Sequence, residues 1–360
     1  MKKRRFLSLL LLLALLISCV SLYACKKSEN EGNNKKKTEK FSEYSLDYFD
    51  TATTITGYAE TREEFDKISQ EILSKLAEYH KLFTIYHRYN GIENLCTVNE
   101  LKDGAHRTVT VDPRIIDLLL YAKDVYSKTG GKVNVAMGSV LSIWHDYRTE
   151  GMNEPADAKL PPNELLTEAA KHTNIDNVII DKEKSTVFLA DPKMSLDVGA
   201  IAKGYAVEMI ARSLEEKEVT GYVINVGGNV RTVGIKGDGK PWVAGIENPN
   251  DDENEPYIAY LNLSGESLVT SGSYQRYYTV EGKNYHHIID PATNMPAERY
   301  LSVSIVCKDS GLADGLSTAL FCMSYEEGLA ILEAIDGAEA IWVFRDGTRK
   351  QSSGFFKYVK

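Results

Sequence analysis

Between residues 222 and 306 turn residues interrupt the chain every few positions: Gly227-Gly228, Gly237-Asp238-Gly239, Asn248-Pro249, Glu281-Gly282 and Asp290-Pro291. The runs between them are short and rich in β-branched and aromatic residues, the pattern of antiparallel strands joined by tight turns. Helical patterns precede and follow this stretch instead of alternating with it. With no regular βαβ period, the expected fold class is α+β, mixed helices and antiparallel sheets, not a doubly wound parallel sheet. Neither GxGxxG nor a P-loop occurs, and no short repeat is visible.

The flanking elements follow from periodicity. Residues 44–58 alternate and are β-rich. Thr61-Arg62-Glu63-Glu64 reads as a capping box, and Phe65, Ile68, Ile72, Leu76, Tyr79 and Phe83 then recur at helical steps as one buried stripe. A second helix starts at Asp112-Pro113 and stops at Gly130-Gly131, with proline inside the start and glycine past the end. A third is expected over 161–171, a hairpin over 177–181 and 186–190, and a helix over 199–217. Helices over 312–323 and 326–335 and strands over 340–344 and 355–359 complete the chain.

The N-terminus is set aside first. Lys2, Lys3, Arg4 and Arg5 precede an apolar run over 6–17, a signal-peptide layout too short for a comfortable membrane span. Leu22-Tyr23-Ala24-Cys25 resembles the bacterial lipobox, with Leu16-Ile17-Ser18-Cys19 as a second candidate; an ordinary cleaved signal or an uncleaved anchor is the alternative. The expected organisation is a lipoprotein signal over 1–24, lipidation at Cys25, a flexible tether over 25–40 and a catalytic body over 41–360.

Residues 1–24 carry four positive charges and 26–40 a net three, so of the formal −9 the body holds −16. Such a surface argues against nucleic acid and against adhesion to anionic lipid. A phosphate-bearing ligand would need a metal ion or backbone donors to offset that field. The five cysteines are too few and scattered for a disulfide framework or a zinc site; Cys96, Cys307 and Cys322 are expected to be buried as small apolar groups.

Four segments hold more polar and glycine residues than packing requires. In Ser195-Leu-Asp-Val-Gly-Ala-Ile-Ala-Lys-Gly-Tyr205 a strand carrying Asp197 breaks at Gly199 and enters a helix, a common anion site that Lys203 could reach, although plain packing also produces the pattern. Tyr222-Val-Ile-Asn-Val-Gly-Gly-Asn229 ends a strand in a double glycine, which either admits a flat ligand or makes a tight turn. Thr270-Ser-Gly-Ser-Tyr274 and Tyr285-His-His-Ile-Ile-Asp-Pro291 bring hydroxyls, two histidines and Asp290 into one hairpin region, enough for a general base and an acid. In Leu312-Ala-Asp-Gly-Leu-Ser-Thr-Ala-Leu320, Asp314 and Thr318 lie one helical turn apart. Hard oxygen donors so spaced suit Mg²⁺ completed by water and phosphate oxygens, against the alternative that Asp314 caps a helix.

In this order the segments resemble the ApbE family of FAD:protein FMN transferases. Phe83-Thr-Ile-Tyr86 through Asn99 resembles the family's early segment ending in Leu-x-x-x-Asn, and Gly131-Lys-Val-Asn-Val-Ala-Met-Gly through Trp144 its Gly-x-Phe-Asp-x-x-x-Gly-x-Leu-x-x-x-Trp segment. The resemblance runs from about Tyr44 to Phe344 and implies a duplicated T-fold-type architecture in a two-lobed catalytic domain. It implies a Mg²⁺ site at the Ala200 carbonyl, Asp314 and Thr318. FAD, as substrate, would be contacted around Ala52 and at Tyr86, Val133, Asn134, Val135, Asp197, Lys203 and Ile289. His287 matches the histidine of His-x-x-Asp-Pro and would be the base, with Asp290 orienting it. Asn134 replaces the usual aspartate, Ala52 a common glycine, Ser317 a second aspartate of some members, and Asn294 the glycine of Asp-Pro-x-Thr-Gly-x-Pro.

The implied function is Mg²⁺-dependent transfer of FMN from FAD to a threonine hydroxyl of an exported or membrane electron-transfer protein, releasing AMP. A lipid anchor would hold the enzyme on the extracytoplasmic face of the cell membrane. Two alternatives share the residues: a Mg²⁺-dependent FAD pyrophosphatase giving FMN and AMP, and a flavin-binding lipoprotein that stores FAD without chemistry.

Overall fold

The computed structural model describes residues 38–100, 108–250 and 252–360; the expected signal peptide, Cys19, Cys25 and most of the tether lie outside them. Residues Thr38–Lys360 form one compact unit. Its backbone is an eight-stranded sheet whose spatial order is the chain order. The strands are β1 (Glu39–Tyr48), β2 (Thr51–Ala59), β3 (Tyr222–Val226), β4 (Asn229–Val233), β5 (Ser267–Gly272), β6 (Tyr300–Cys307), β7 (Glu339–Phe344) and β8 (Arg349–Gln351). Every neighbouring pair is antiparallel, which bears out the α+β expectation. Long insertions between successive strands supply the helices: α1 (Arg62–Phe83), α2 (Leu95–Asn99), α3 (Pro113–Lys128), α4 (Gly138–Asn153), α5 (Asn163–Ala170) and α6 (Ala202–Glu215) between β2 and β3, then α7 (Ser310–Phe321) and α8 (Tyr325–Glu333) between β6 and β7.

The hydrophobic stripe of α1 does what its spacing predicts: Phe65, Ile72 and Leu76 are fully buried against Ile210 and Leu214 of α6 and Tyr222 and Ile224 of β3. Its capping box closes differently. Thr61 Oγ1 accepts the Glu64 amide at 3.2 Å, but the Glu64 carboxylate accepts the Glu60 amide at 3.1 Å, one residue before the reciprocal position. The β-rich run over 44–58 is a hairpin, reversing at Phe49 and Asp50, both in the left-handed region (φ 54° and 50°). Glu39 and Lys40 already pair with Ala59 and Tyr58, so the sheet begins inside the expected tether.

Two expectations change. Residues 355–359 are not a strand: Phe355–Lys357 is a 3₁₀ turn, with only a single bridge from Val359 to Leu261. The Glu339 carboxylate accepts the Gly354 amide and the Ser352 hydroxyl, turning the chain so that Phe355 enters the core beside Leu261 and Ile341. The last strand is β8, exposed at all three residues and without an apolar pattern to betray it. The helix α4 was not expected as a helix at all: its first residue is a glycine, and it carries no side-chain cap.

The helices α6 and α7 pack against each other over the middle of the sheet, and Gly204 sits at their contact. A Cβ on Gly204 would fall 2.3 Å from the Ser310 carbonyl oxygen and 2.5 Å from the Asp314 Cβ. Gly204→Ala gains about 1 kcal/mol of helix propensity, but overpacking against rigid backbone costs about 1–3 kcal/mol. No rotamer relieves a clash of Cβ itself, so the variant is expected to melt at a lower temperature than the parent. An equal or higher melting temperature by calorimetry would show that the helices separate freely here.

Candidate active site

The inserted segments meet at an open cleft of about 260 Å³. Tyr86, Val133, Asn134, Val135, Asp197, Ala200, Lys203, His287, Ile289, Asp314 and Thr318 all line it, although they come from separate stretches of the chain. The two remaining expected site residues of the body, Ala52 and Asp290, do not.

At the junction 197–203 the chain turns from an extended stretch into α6. Asp197 donates its amide to the Val135 carbonyl at 2.8 Å, and its carboxylate accepts the Gly199 amide at 2.8 Å. Ile201, at the start of α6, offers no side-chain cap. The cap comes from another helix: Asp314 Oδ2 accepts the Gly204 amide at 2.9 Å. Gly204 is the third residue of α6, and an amide in the first turn has no partner within its own helix. Ala200, two residues before the helix, lines the cleft, and its carbonyl has no hydrogen bond among the described residues. Asp314 therefore does cap a helix, but not its own, which Asp309 caps through the Leu312 amide.

One turn on from Asp314, Thr318 also lines the cleft, and its hydroxyl lies 3.3 Å from Ser271 Oγ. Ser317 is buried and bonds Ser271 at 2.8 Å and the Asp314 carbonyl at 2.9 Å, so it is spent on packing. A free peptide oxygen, a carboxylate and an alcohol facing one cavity are the donor set of a hard cation. Among the described residues no three His, Cys, Asp or Glu side chains converge. Mg²⁺, which keeps several ligand positions for water and phosphate, fits such a set better than a metal needing an all-protein cage. Burial raises the Asp314 carboxyl above the usual carboxylate range, opposed by Lys203 and the Gly204 amide.

The histidine pair divides by strand alternation. His286 is buried against Phe321; its Nε2 donates to the Ala297 carbonyl at 2.6 Å and its Nδ1 accepts the Ile288 amide at 3.2 Å, so both nitrogens are used. His287 faces the cleft, with Nδ1 3.2 Å from the Arg276 carbonyl. A carbonyl only accepts, so Nδ1 carries the proton and Nε2 keeps its lone pair. Desolvation, then the Arg276 and Arg148 cations, lower the His287 pKa to about 3.

Asp290 does not orient His287. Its Oδ1 pairs with Lys132 Nζ at 2.7 Å and accepts the Ala292 amide at 3.0 Å, holding the turn that follows. In that turn Asn294 takes the left-handed conformation (φ 59°), as its substitution for glycine predicts, and its carbonyl accepts Trp144 Nε1 at 2.8 Å. Ala52 is exposed beside the cleft; its carbonyl accepts the Gly227 amide at 2.9 Å, and the lining residue is its neighbour Thr51. The double glycine is a tight turn with both φ positive, and a Cβ on Gly227 would strike Thr51 at 2.4 Å. Asn134 donates to the Thr173 carbonyl and accepts the Ala136 amide, shaping the 133–135 wall.

Sequence reasoning missed four groups that dominate the cleft's electrostatics or shape: Lys132, His145, Arg148 and Arg276. Three of these are fixed cations, joined by Lys203. Burial and the like charge of Arg276 lower the Arg148 pKa, the mark of a desolvated cation short of counter-charge. The available signal was helical spacing: Leu141, Trp144, His145 and Arg148 fall on one face of α4, and all line the cleft. The ring of Tyr86 packs on His145 with centroids 5.3 Å apart.

Fold and site together define a flavin-transferase-type scaffold, and residues 49–342 match the ApbE family. The chain belongs to that family. It is 29% identical to the FAD:protein FMN transferase of Haemophilus influenzae over 95% of both chains, and 33% identical to that of Klebsiella pneumoniae over 74% of this chain and 82% of the other. Among solved structures, the ApbE protein of Thermotoga maritima superposes with a TM-score of 0.75 at 27% identity, covering 90% of this chain and all of the other. The flavin transferase ApbE of Vibrio cholerae, 24% identical with a TM-score of 0.72 over 89% of this chain and 100% of its own, shares the fold.

With a pKa depressed to about 3, His287 is neutral throughout the physiological range. Its contribution to stability is full above the ordinary histidine pKa and is lost as pH falls below that value, where the unfolded ring binds a proton the folded one refuses. The His287 ring resonances are expected to keep their neutral positions from pH 8 to about 5, and Asp290→Asn to leave them there. A titration midpoint near 6.5, or one moved by Asp290→Asn, would overturn this placement.

Proposed function

We propose that this chain is a Mg²⁺-dependent FAD:protein FMN transferase acting on a threonine hydroxyl and releasing AMP. The observation that carries the reading is that Ala200, whose carbonyl has no hydrogen bond among the described residues, lines one cleft with Asp314 and Thr318, together with Lys132, Arg148, Lys203 and Arg276. The names of the relatives support it independently.

The acceptor oxygen would form a bond to the riboflavin-side phosphorus of FAD while that phosphorus loses its bond to the bridging oxygen, which leaves with AMP. The threonine proton passes to His287, whose Nε2 lone pair is available because Nδ1 is tied to the Arg276 carbonyl. Asp314, Thr318 and the Ala200 carbonyl would hold Mg²⁺, which would supply charge neutralisation on the diphosphate and alignment for in-line displacement. Arg148, Arg276 and Lys203 stabilise the negative oxygens from fixed positions, the kind of preorganised field that needs no rearrangement during the reaction. We further propose that diacylated Cys25 tethers the enzyme to the extracytoplasmic face of the cell membrane, where exported flavin-carrying redox proteins present the acceptor threonine.

The test follows AMP, free FMN and acceptor mass after mixing the protein with FAD, Mg²⁺ and a threonine-bearing acceptor domain. AMP with a flavinylated acceptor is expected; AMP with free FMN would make the protein a pyrophosphatase, and intact FAD a carrier. Asp314→Asn is expected to slow AMP release by about 100-fold or more. Its melting temperature should not fall, because asparagine still accepts the Gly204 amide and a buried charge is removed. Retained turnover would refute the metal assignment, and a large loss of melting temperature would make Asp314 a structural group.

A further inference from the structure

A second cavity, of about 740 Å³, lies beside the cleft, and the strip 272–277 is the wall between them. Gly272, Gln275 and Arg276 line the cleft, whereas Ser273, Tyr274 and Tyr277 line the second cavity. The strip is fastened on both sides. Ser273 donates its amide and hydroxyl to the Leu301 carbonyl at 3.0 and 3.2 Å, and the Arg276 carbonyl holds the Nδ1 of His287. A chain lying in the second cavity is thus one backbone thickness from the base.

The two cavities differ in charge. The cleft sets Arg148, Lys203 and Arg276, with Lys132 paired to Asp290, against Asp197 and Asp314. The second cavity sets Glu247, Asp252 and Glu253 against Arg345. Glu247 meets neutral donors, the Tyr274 hydroxyl at 3.4 Å and the Gln275 amide at 3.5 Å, and Asp252 meets the backbone and side-chain amides of Asn254. A dinucleotide diphosphate is repelled from such a wall and drawn to the cleft. Tyr257 and Tyr277, each near 40% exposed, add flat surfaces that pack on aliphatic chain and hydrogen-bond at their rims.

We propose that this groove docks the polypeptide that receives the flavin, through a cationic segment adjoining the modified threonine. The proposal rests on the transferase reading of the cleft and adds the class of the second substrate. Lysine or arginine side chains would lay their stems along the tyrosines and set their charges among Glu247, Asp252 and Glu253.

Two labelled peptides of equal length test it, each with a central threonine, one flanked by lysines and the other by glutamates. By fluorescence anisotropy without FAD, the lysine peptide is expected to bind at least about tenfold more tightly. Asp252→Lys with Glu253→Lys should abolish that preference, while the same charge change at Asp117 and Asp124 on α3 should preserve it. Equal affinities, or equal loss from either pair, would overturn the proposal and leave only the general pull of an acidic surface. Flavin fluorescence of the groove variant with FAD checks that the cleft remains intact. The two readings fail separately. If the lysine peptide docks but no acceptor ever yields AMP, the transferase reading falls; if both peptides are flavinylated equally, the docking site does.

Discussion

The hydrogen bond from the Gly204 amide to Asp314 joins the fold to the chemistry. It ties the first turn of α6 to the middle of α7, and it exists only because residue 204 has no side chain to hold the helices apart. An uncapped helix start normally leaves amides for water or a ligand. Here the Asp314 carboxylate takes one of them, and Ala200, whose carbonyl has no hydrogen bond among the described residues, lines the cleft just before the helix. The turn that enters α6 and one face of α7, widely separated in sequence, thereby bring Ala200, Asp314 and Thr318 to one cleft.

Charge is organised on the same local scale. The body is strongly acidic, and a net charge of that size would repel a diphosphate if it acted uniformly. It does not, because surface charges are screened beyond about 8 Å at physiological ionic strength. Arg148, Lys203 and Arg276 line the cleft with Lys132, which is paired with Asp290, and burial together with the like charge of Arg276 lowers the Arg148 pKa. Under the proposed reaction an arriving diphosphate would meet these cations, so an acidic protein can favour a polyanion at one place; the expectation named a metal ion or backbone donors, and the fold adds these side chains.

Much of this was legible in the sequence, and the exceptions have physical causes. The α1 stripe, the proline-started α3 and the 177–190 hairpin follow from local periodicity and turn chemistry, and they stand within a residue or two of expectation. Asp314 and Thr318 were readable because both lie on one helix face. The Gly204 contact was not readable, since a helix-interior glycine looks the same whether it relieves a clash or merely weakens a helix. Arg148 and Arg276 escaped because arginine on a helix or beside a strand is ordinary surface composition; only the fold turns them to one cavity. The error over 355–359 is of the opposite kind, an apolar pattern made by a turn folding Phe355 inward.

The placement of Asp290 bears on mechanism. Neighbouring histidine and aspartate in sequence invite the arrangement in which a carboxylate orients an imidazole and stabilises its protonated form, as acyl transfer requires. This chain instead gives the carboxylate to Lys132 and orients His287 with a backbone carbonyl flanked by arginines. A carbonyl fixes the tautomer but offers little support to an imidazolium, so the ring is a positioned but weak base. Phosphoryl transfer through a loose transition state asks for that and little more, because bond formation to the nucleophile lags and its proton stays nearly untouched until late. Under the proposed reaction the principal demand falls on holding a charged diphosphate still; Arg148, Arg276, Lys203 and a cation held at Ala200, Asp314 and Thr318 would meet it, leaving the His287 imidazole for the proton.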